Sequence, residues 1–145
     1  MYIIELLLSK IGLVSYGKTN KAANESVKKL NIITDSIFKR VLDLSGGNQQ
    51  KVVIAKWLAT NPKLLILNDP TRGIDVGAKA EVYKLIDELA RQGFAILFTT
   101  SEFEEVLELC DNIVVIYDGK IVSRFKGGEV EKPELMSYVT SGSSR

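Results

Sequence analysis

Leu64-Leu65-Ile66-Leu67 is an apolar run between Pro62-Lys63 and Asn68-Asp69-Pro70. Bounded by polar punctuation, it reads as a buried strand of a parallel sheet. The residues beyond it narrow the choice of fold. From Ala78 to Arg91 the residues Val82, Leu85, Ile86 and Leu89 recur three and four apart with charges on the other face. That spacing predicts an amphipathic helix, which Gly93 stops. Phe94 to Thr100 reads as a second strand. Strand, crossover helix and strand in this order predict an α/β fold, a mainly parallel sheet flanked by helices. The carboxyl end of such a strand faces the crevice where α/β proteins bind ligands, which singles out Asn68 and Asp69. The other reading of Asn68-Asp69-Pro70-Thr71-Arg72-Gly73 is a turn made from turn-forming residues.

A second stretch carries chemistry of its own. Leu44-Ser45-Gly46-Gly47-Asn48-Gln49-Gln50-Lys51 is followed at once by a helical pattern in which Val53, Ile54, Trp57 and Leu58 share a face, ending at Asn61-Pro62. Two glycines after a serine give a backbone able to curl its N–H groups toward one point at a helix N-terminus. A hydroxyl beside such groups suits phosphate oxygens. A plain helix-capping turn is the alternative.

The longer string resembles the signature motif of ABC-type ATPases, in the form that looks like the ATP-binding subunits of bacterial carbohydrate importers of the ribose, galactose and xylose type. In that family the motif closes over ATP held by an opposing domain. The resemblance implies that Ser45, Gly46 and Gly47, with Asn48 and Gln49 in the same string, bind the nucleotide of a partner. Asn48 stands where many relatives have glutamine. Asn68-Asp69-Pro70-Thr71 resembles the family's Asp-Glu-Pro-Thr, in which aspartate orders magnesium and glutamate orients or deprotonates the attacking water. Here Asn68 replaces the aspartate and Asp69 the glutamate. An amide oxygen is a weaker ligand for a hard cation, and a carboxylate one methylene shorter misplaces the base. Asp75 matches the D-loop aspartate that reaches across the dimer interface. Ser101 occupies the place of a histidine that contacts the γ-phosphate; it also reads as an N-cap, paired with Glu104 in a capping box.

The resemblance covers Ser9 to the end of the chain and implies a partial P-loop NTPase domain of the ABC ATPase type over residues 1–145. Residues 1–60 would hold part of the helical subdomain and the signature helix, and residues 61–145 the sheet core, a hairpin and a C-terminal helix. ATP and Mg2+ are implied in the assembled transporter only. The implied partners are a second nucleotide-binding domain and, through the helical subdomain, membrane permease subunits. The implied location is cytoplasmic, on the inner face of the membrane. An isolated partial domain is expected to expose apolar surface.

Two other function classes stand beside this reading. Gly12-Leu13-Val14-Ser15-Tyr16-Gly17-Lys18-Thr19 fits the P-loop pattern of a self-contained small NTPase or kinase. Against it stand the bulky loop interior, Asn20 and Lys21 delaying the next helix, and a spacing to Ser45 shorter than the family's. The third class is a non-catalytic relic fragment. The remaining sequence excludes more than it suggests. The chain has no histidine, and its single Cys110 falls in a helical pattern, so a buried reduced thiol is expected. No metal-ligand cluster is found. Residues 1–63 hold ten Lys/Arg against four Asp/Glu, but without interleaved aromatic residues, so nucleic acid is not an expected partner. Met1 to Leu8 is too short to span a bilayer. Asp118-Gly119 between two β-branched runs predicts a hairpin, and Pro133 the first turn of a last helix through Val139.

Overall fold

Among residues 16–143, the stretch that the computed structural model describes, helix α1 spans Tyr16–Lys29. Asn20 and Lys21, expected to delay it, lie within it. Helix-favouring Ala and Lys residues surround them, and Asn24 Nδ2 donates to the Asn20 carbonyl at 2.8 Å. The earlier residues of the P-loop-like string, Gly12 to Ser15, lie outside the described residues, as does Met1 to Leu8. After α1 the backbone turns left-handed at Asn31 (φ 49°), and Leu30 and Ile32 are buried. A short 3-10 turn, Val41–Asp43, leads into helix α2, Gly46–Leu58.

The inward face of α2 differs from the expected one. Gly47, Asn48, Lys51, Ile54 and Ala55 are buried, whereas Val53 and Trp57 are each 46% exposed. The buried positions keep helical spacing, but three of the five are glycine or polar, so apolar residues alone do not mark the stripe.

Strand β1, Leu64–Asn68, alternates: Leu65 and Leu67 are buried, while Leu64 and Ile66 are 50% and 63% exposed. The strand expected to be buried on both faces is therefore covered on one. Helix α3, Val76–Arg91, buries Val82, Leu85, Ile86 and Leu89, the predicted stripe. It connects β1 to β2, Ala95–Thr99, and the two strands are neighbours in a two-stranded sheet. Leu97 of β2 is 51% exposed, so apolar surface stays open on both strands.

The chain divides into two compact units, one through Leu97 and the other from Phe98. The second unit contains α4, Phe103–Leu109, strands β3, Asn112–Tyr117, and β4, Lys120–Lys126, and α5, Lys132–Ser141. β3 and β4 pair antiparallel, with Tyr117 opposite Lys120 and an irregularity between Val115 and Ile116. Asp118 (φ 47°) and Gly119 (φ 71°) supply the two positive φ angles that a two-residue type I′ turn requires. Ile113, Val115, Val130 and Leu135 form the core of this unit, and Phe125 meets Tyr138 edge-on at 5.5 Å. The expected capping box at Ser101 does not form. Glu102 holds the N-cap position without a side-chain cap bond, and its N–H is accepted by Thr100 Oγ1 at 3.0 Å. Glu104 instead pairs with Lys132 of α5. No helix among the described residues is long and apolar enough to cross a membrane.

Cys110 is half-buried against the core of the second unit. Burial first, and Asp111 next, push its thiol pKa up. Iodoacetamide at pH 8 is therefore expected to alkylate it about tenfold more slowly than a free cysteine, because the thiolate is the nucleophile. Unfolding in urea should abolish the difference; equal rates before and after would contradict the packing described.

Candidate functional site

The site is built where α2 begins. Ser45 is the N-cap, with extended backbone (φ −61°, ψ 154°), and its carbonyl accepts the first helical bond, from Gln49 N at 2.9 Å. Its side chain makes no cap hydrogen bond and is exposed. The capping role that a plain structural turn would give this hydroxyl is thus not taken up. The first N–H groups of α2 have no partner within the helix, and the positive end of its dipole lies beside the hydroxyl.

Gly46 and Gly47 are helical rather than left-handed, so their function in the fold is close approach. A Cβ on Gly46 would lie 2.8 Å from Ile74 Cγ2, and one on Gly47 2.7 Å from Ala78 Cβ. Only glycine lets the start of α2 rest against the start of α3. The segment around Asp75 is therefore held beside the Ser45 bend. Asp75 itself caps α3, its Oδ1 accepting from Ala78 N at 2.9 Å.

Asn48 and Gln49 are turned toward the protein. Asn48, 8% exposed, donates from Nδ2 to Ser45 Oγ and accepts at Oδ1 from Ile33 N, both at 2.8 Å. Gln49 Nε2 donates to the Leu44 carbonyl at 2.8 Å. Beyond them Lys51, its side chain 5% exposed, reaches the Asn31 carbonyl at 3.1 Å and Glu81 Oε2 at 2.8 Å. Sequence reasoning passed over Lys51, although its place four residues after Gly47 sets it on the inward stripe.

Asn68 is the last residue of β1, and Asp69 follows with a left-handed backbone (φ 43°). Arg72 N donates to the Asp69 carbonyl at 3.1 Å, so this stretch is both a turn and the strand's carboxyl end. Ser101 belongs to the second unit, in the bend before α4. Among the described residues no three His, Cys, Asp or Glu side chains cluster as a metal site. One carboxylate and one amide oxygen at 68–69 suit a magnesium ion that arrives with phosphate and keeps its waters, not one held by protein ligands alone.

The family model for the ABC transporter domain matches residues 7–72. The fold agrees: a nucleotide-free ATP-binding cassette from an ABC transporter superposes with a TM-score of 0.73 at 24% identity, covering 94% of this chain and 51% of that one. A dimeric cassette in a post-hydrolysis state bound to ADP and Pi gives 0.68 at 25% identity, covering 83% and 52%. The chain has the P-loop NTPase fold of ABC ATP-binding cassettes, over part of one domain. In sequence it is similar to carbohydrate-import subunits. The ribose import ATP-binding protein RbsA of Caldanaerobacter subterraneus subsp. tengcongensis is 48% identical over 132 residues, 91% of this chain. The xylose import ATP-binding protein XylG of Thermoanaerobacter pseudethanolicus is 47% identical over 135 residues, 93% of this chain. The chain spans 27% of the length of each of these relatives.

Proposed function

We propose that this chain works as part of the ATP-hydrolysing component of a carbohydrate importer, where the Ser45 bend closes over the γ-phosphate of ATP held by a second nucleotide-binding domain. The observation that carries this reading is the Ser45 hydroxyl: exposed, at the N-terminus of α2, and not engaged in capping that helix. Two glycine contacts hold it beside Asp75, so a partner meeting one segment meets the other. ATP supplies the phosphoryl group and Mg2+ neutralises its charge. This chain's part is to offer the hydroxyl and the N–H groups of Gly46 and Gly47 to the phosphoryl oxygens, a donor set whose effect grows as charge builds up there and water is excluded. Asn68 and Asp69 face the chain's own nucleotide crevice, and Ser101 is available to a phosphate as a hydrogen-bond donor. On this reading the chain acts on the cytoplasmic face of the membrane, with permease subunits meeting the segment before Leu44.

Ser45→Arg in the reconstituted importer tests it. A guanidinium at an exposed bend leaves the fold intact but fills the space a phosphoryl group would enter. ATP turnover should fall by about 100-fold or more, the order seen when an oxyanion donor is removed. Unchanged turnover would leave the bend without a catalytic role and favour a relic fragment. Tight ATP binding by the chain alone, lost in Lys18→Ala, would favour the self-contained P-loop NTPase instead.

A further inference from the structure

The direction of the Ser45 hydroxyl is set from inside the protein. Ile33 N–H can only donate, so the Asn48 oxygen must face it, and the observed 2.8 Å contact agrees. The Asn48 amide is planar, so its NH2 end is then committed to the other side, where it lies 2.8 Å from Ser45 Oγ. The orientation of this side chain follows from donor and acceptor counting rather than from choice. Ser45 Oγ therefore accepts from Asn48, and its own proton points elsewhere. Among the described residues Oγ has no other hydrogen-bond partner, and Ser45 is exposed while Asn48 is buried.

We infer that Asn48 is a positioning residue: by donating to Ser45 Oγ while anchored on Ile33 N–H, it turns the serine O–H outward as a donor to a phosphoryl oxygen. The inference rests on the proposed phosphate contact of Ser45 and deepens it. Asn48 does not itself touch nucleotide, because both ends of its amide are occupied by the protein. It also links the segment after α1 to the bend, so displacement of Ile33 would release the hydroxyl to rotate.

Asn48→Asp separates orientation from shape. Aspartate keeps the size and still accepts from Ile33 N–H, but its second oxygen cannot donate, so Ser45 must donate inward and present only lone pairs to the phosphate. In the reconstituted importer kcat should fall by about tenfold or more with KM little changed, as for an interaction made in the transition state. In a Ser45→Ala background the same Asn48→Asp change should alter kcat by less than about twofold, since there is no hydroxyl left to turn. An equal loss in both backgrounds would mean that the new charge acts by itself, and would overturn the inference while leaving the phosphate contact standing. Undiminished turnover in Ser45→Ala alone would remove the phosphate contact and the inference together. An independent readout needs only the exposed substitution. In the full chain the side-chain amide protons of Asn48 should exchange with solvent about tenfold faster in Ser45→Ala than in wild type, and unchanged exchange would overturn the inference.

Discussion

On the proposed function, changing Asn68 to aspartate and Asp69 to glutamate together should raise ATP turnover at the crevice beyond β1 by about 100-fold, measured as phosphate release from the reconstituted importer with the second site inactivated. If positions 68 and 69 take the magnesium and base roles that the resemblance implies, the change repairs two independent defects. Asn68 ends β1 and is exposed there, so an aspartate gains a full charge for a cation without a burial cost. Asp69 lies at the next position with its carboxylate one methylene short of the family's usual base. The backbone carries an opposing term. Asp69 has φ 43°, a region that aspartate tolerates better than longer side chains, so glutamate there should lower stability by about 1 kcal/mol. The expected result is thus a faster and slightly less stable protein. Asn68→Asp alone should recover part of the rate with no such loss. If the double variant binds ATP and turns over no faster, these positions do not limit the reaction.

Much of the local structure around the candidate site was legible in the sequence because its grammar is local. The strand, the α3 stripe of Val82, Leu85, Ile86 and Leu89, and the Asp118-Gly119 turn are each decided by residues a few positions apart. The Ser45-Gly46-Gly47 bend could be read in the same way, including its place at the start of α2. The features that escaped depend on partners far along the chain. Asn48 is anchored by Ile33, fifteen positions away, and Lys51 by Asn31 and Glu81, twenty and thirty positions away. No periodicity within α2 announces such contacts, and they are what puts polar side chains on its inward stripe. The two glycines have a further role that no local pattern announces: they admit the close approach of Ile74 and Ala78. At Ser101 the local pattern Ser-x-x-Glu was present, but Glu104 pairs with Lys132 of α5, and the helix starts later with Glu102 at its cap.

Lys51 offers the second large effect, as an asymmetry. Its ammonium is taken almost wholly out of water and held by the Asn31 carbonyl and by Glu81, which is itself 54% exposed beside a groove of about 290 Å3. Removing the acid strands the base: Glu81→Ala leaves a buried cation with one neutral acceptor. Breaking a fully buried pair in this way costs about 3–5 kcal/mol, and water entering the groove should hold the loss here to about 2–3 kcal/mol. Removing the base does something else. Lys51→Met keeps most of the apolar volume and takes the charge away, Glu81 turns to solvent, and the carbonyl of exposed Asn31 accepts from water. That substitution should cost less than about 1 kcal/mol. Urea unfolding midpoints of the two variants and of the double variant decide the matter. The double variant should be as stable as Lys51→Met, because Glu81 has no buried charge left to serve. Equal losses from the two single variants would show that the link between α2 and α3 depends on the ion pair as such, and not on the compensation of one buried ammonium.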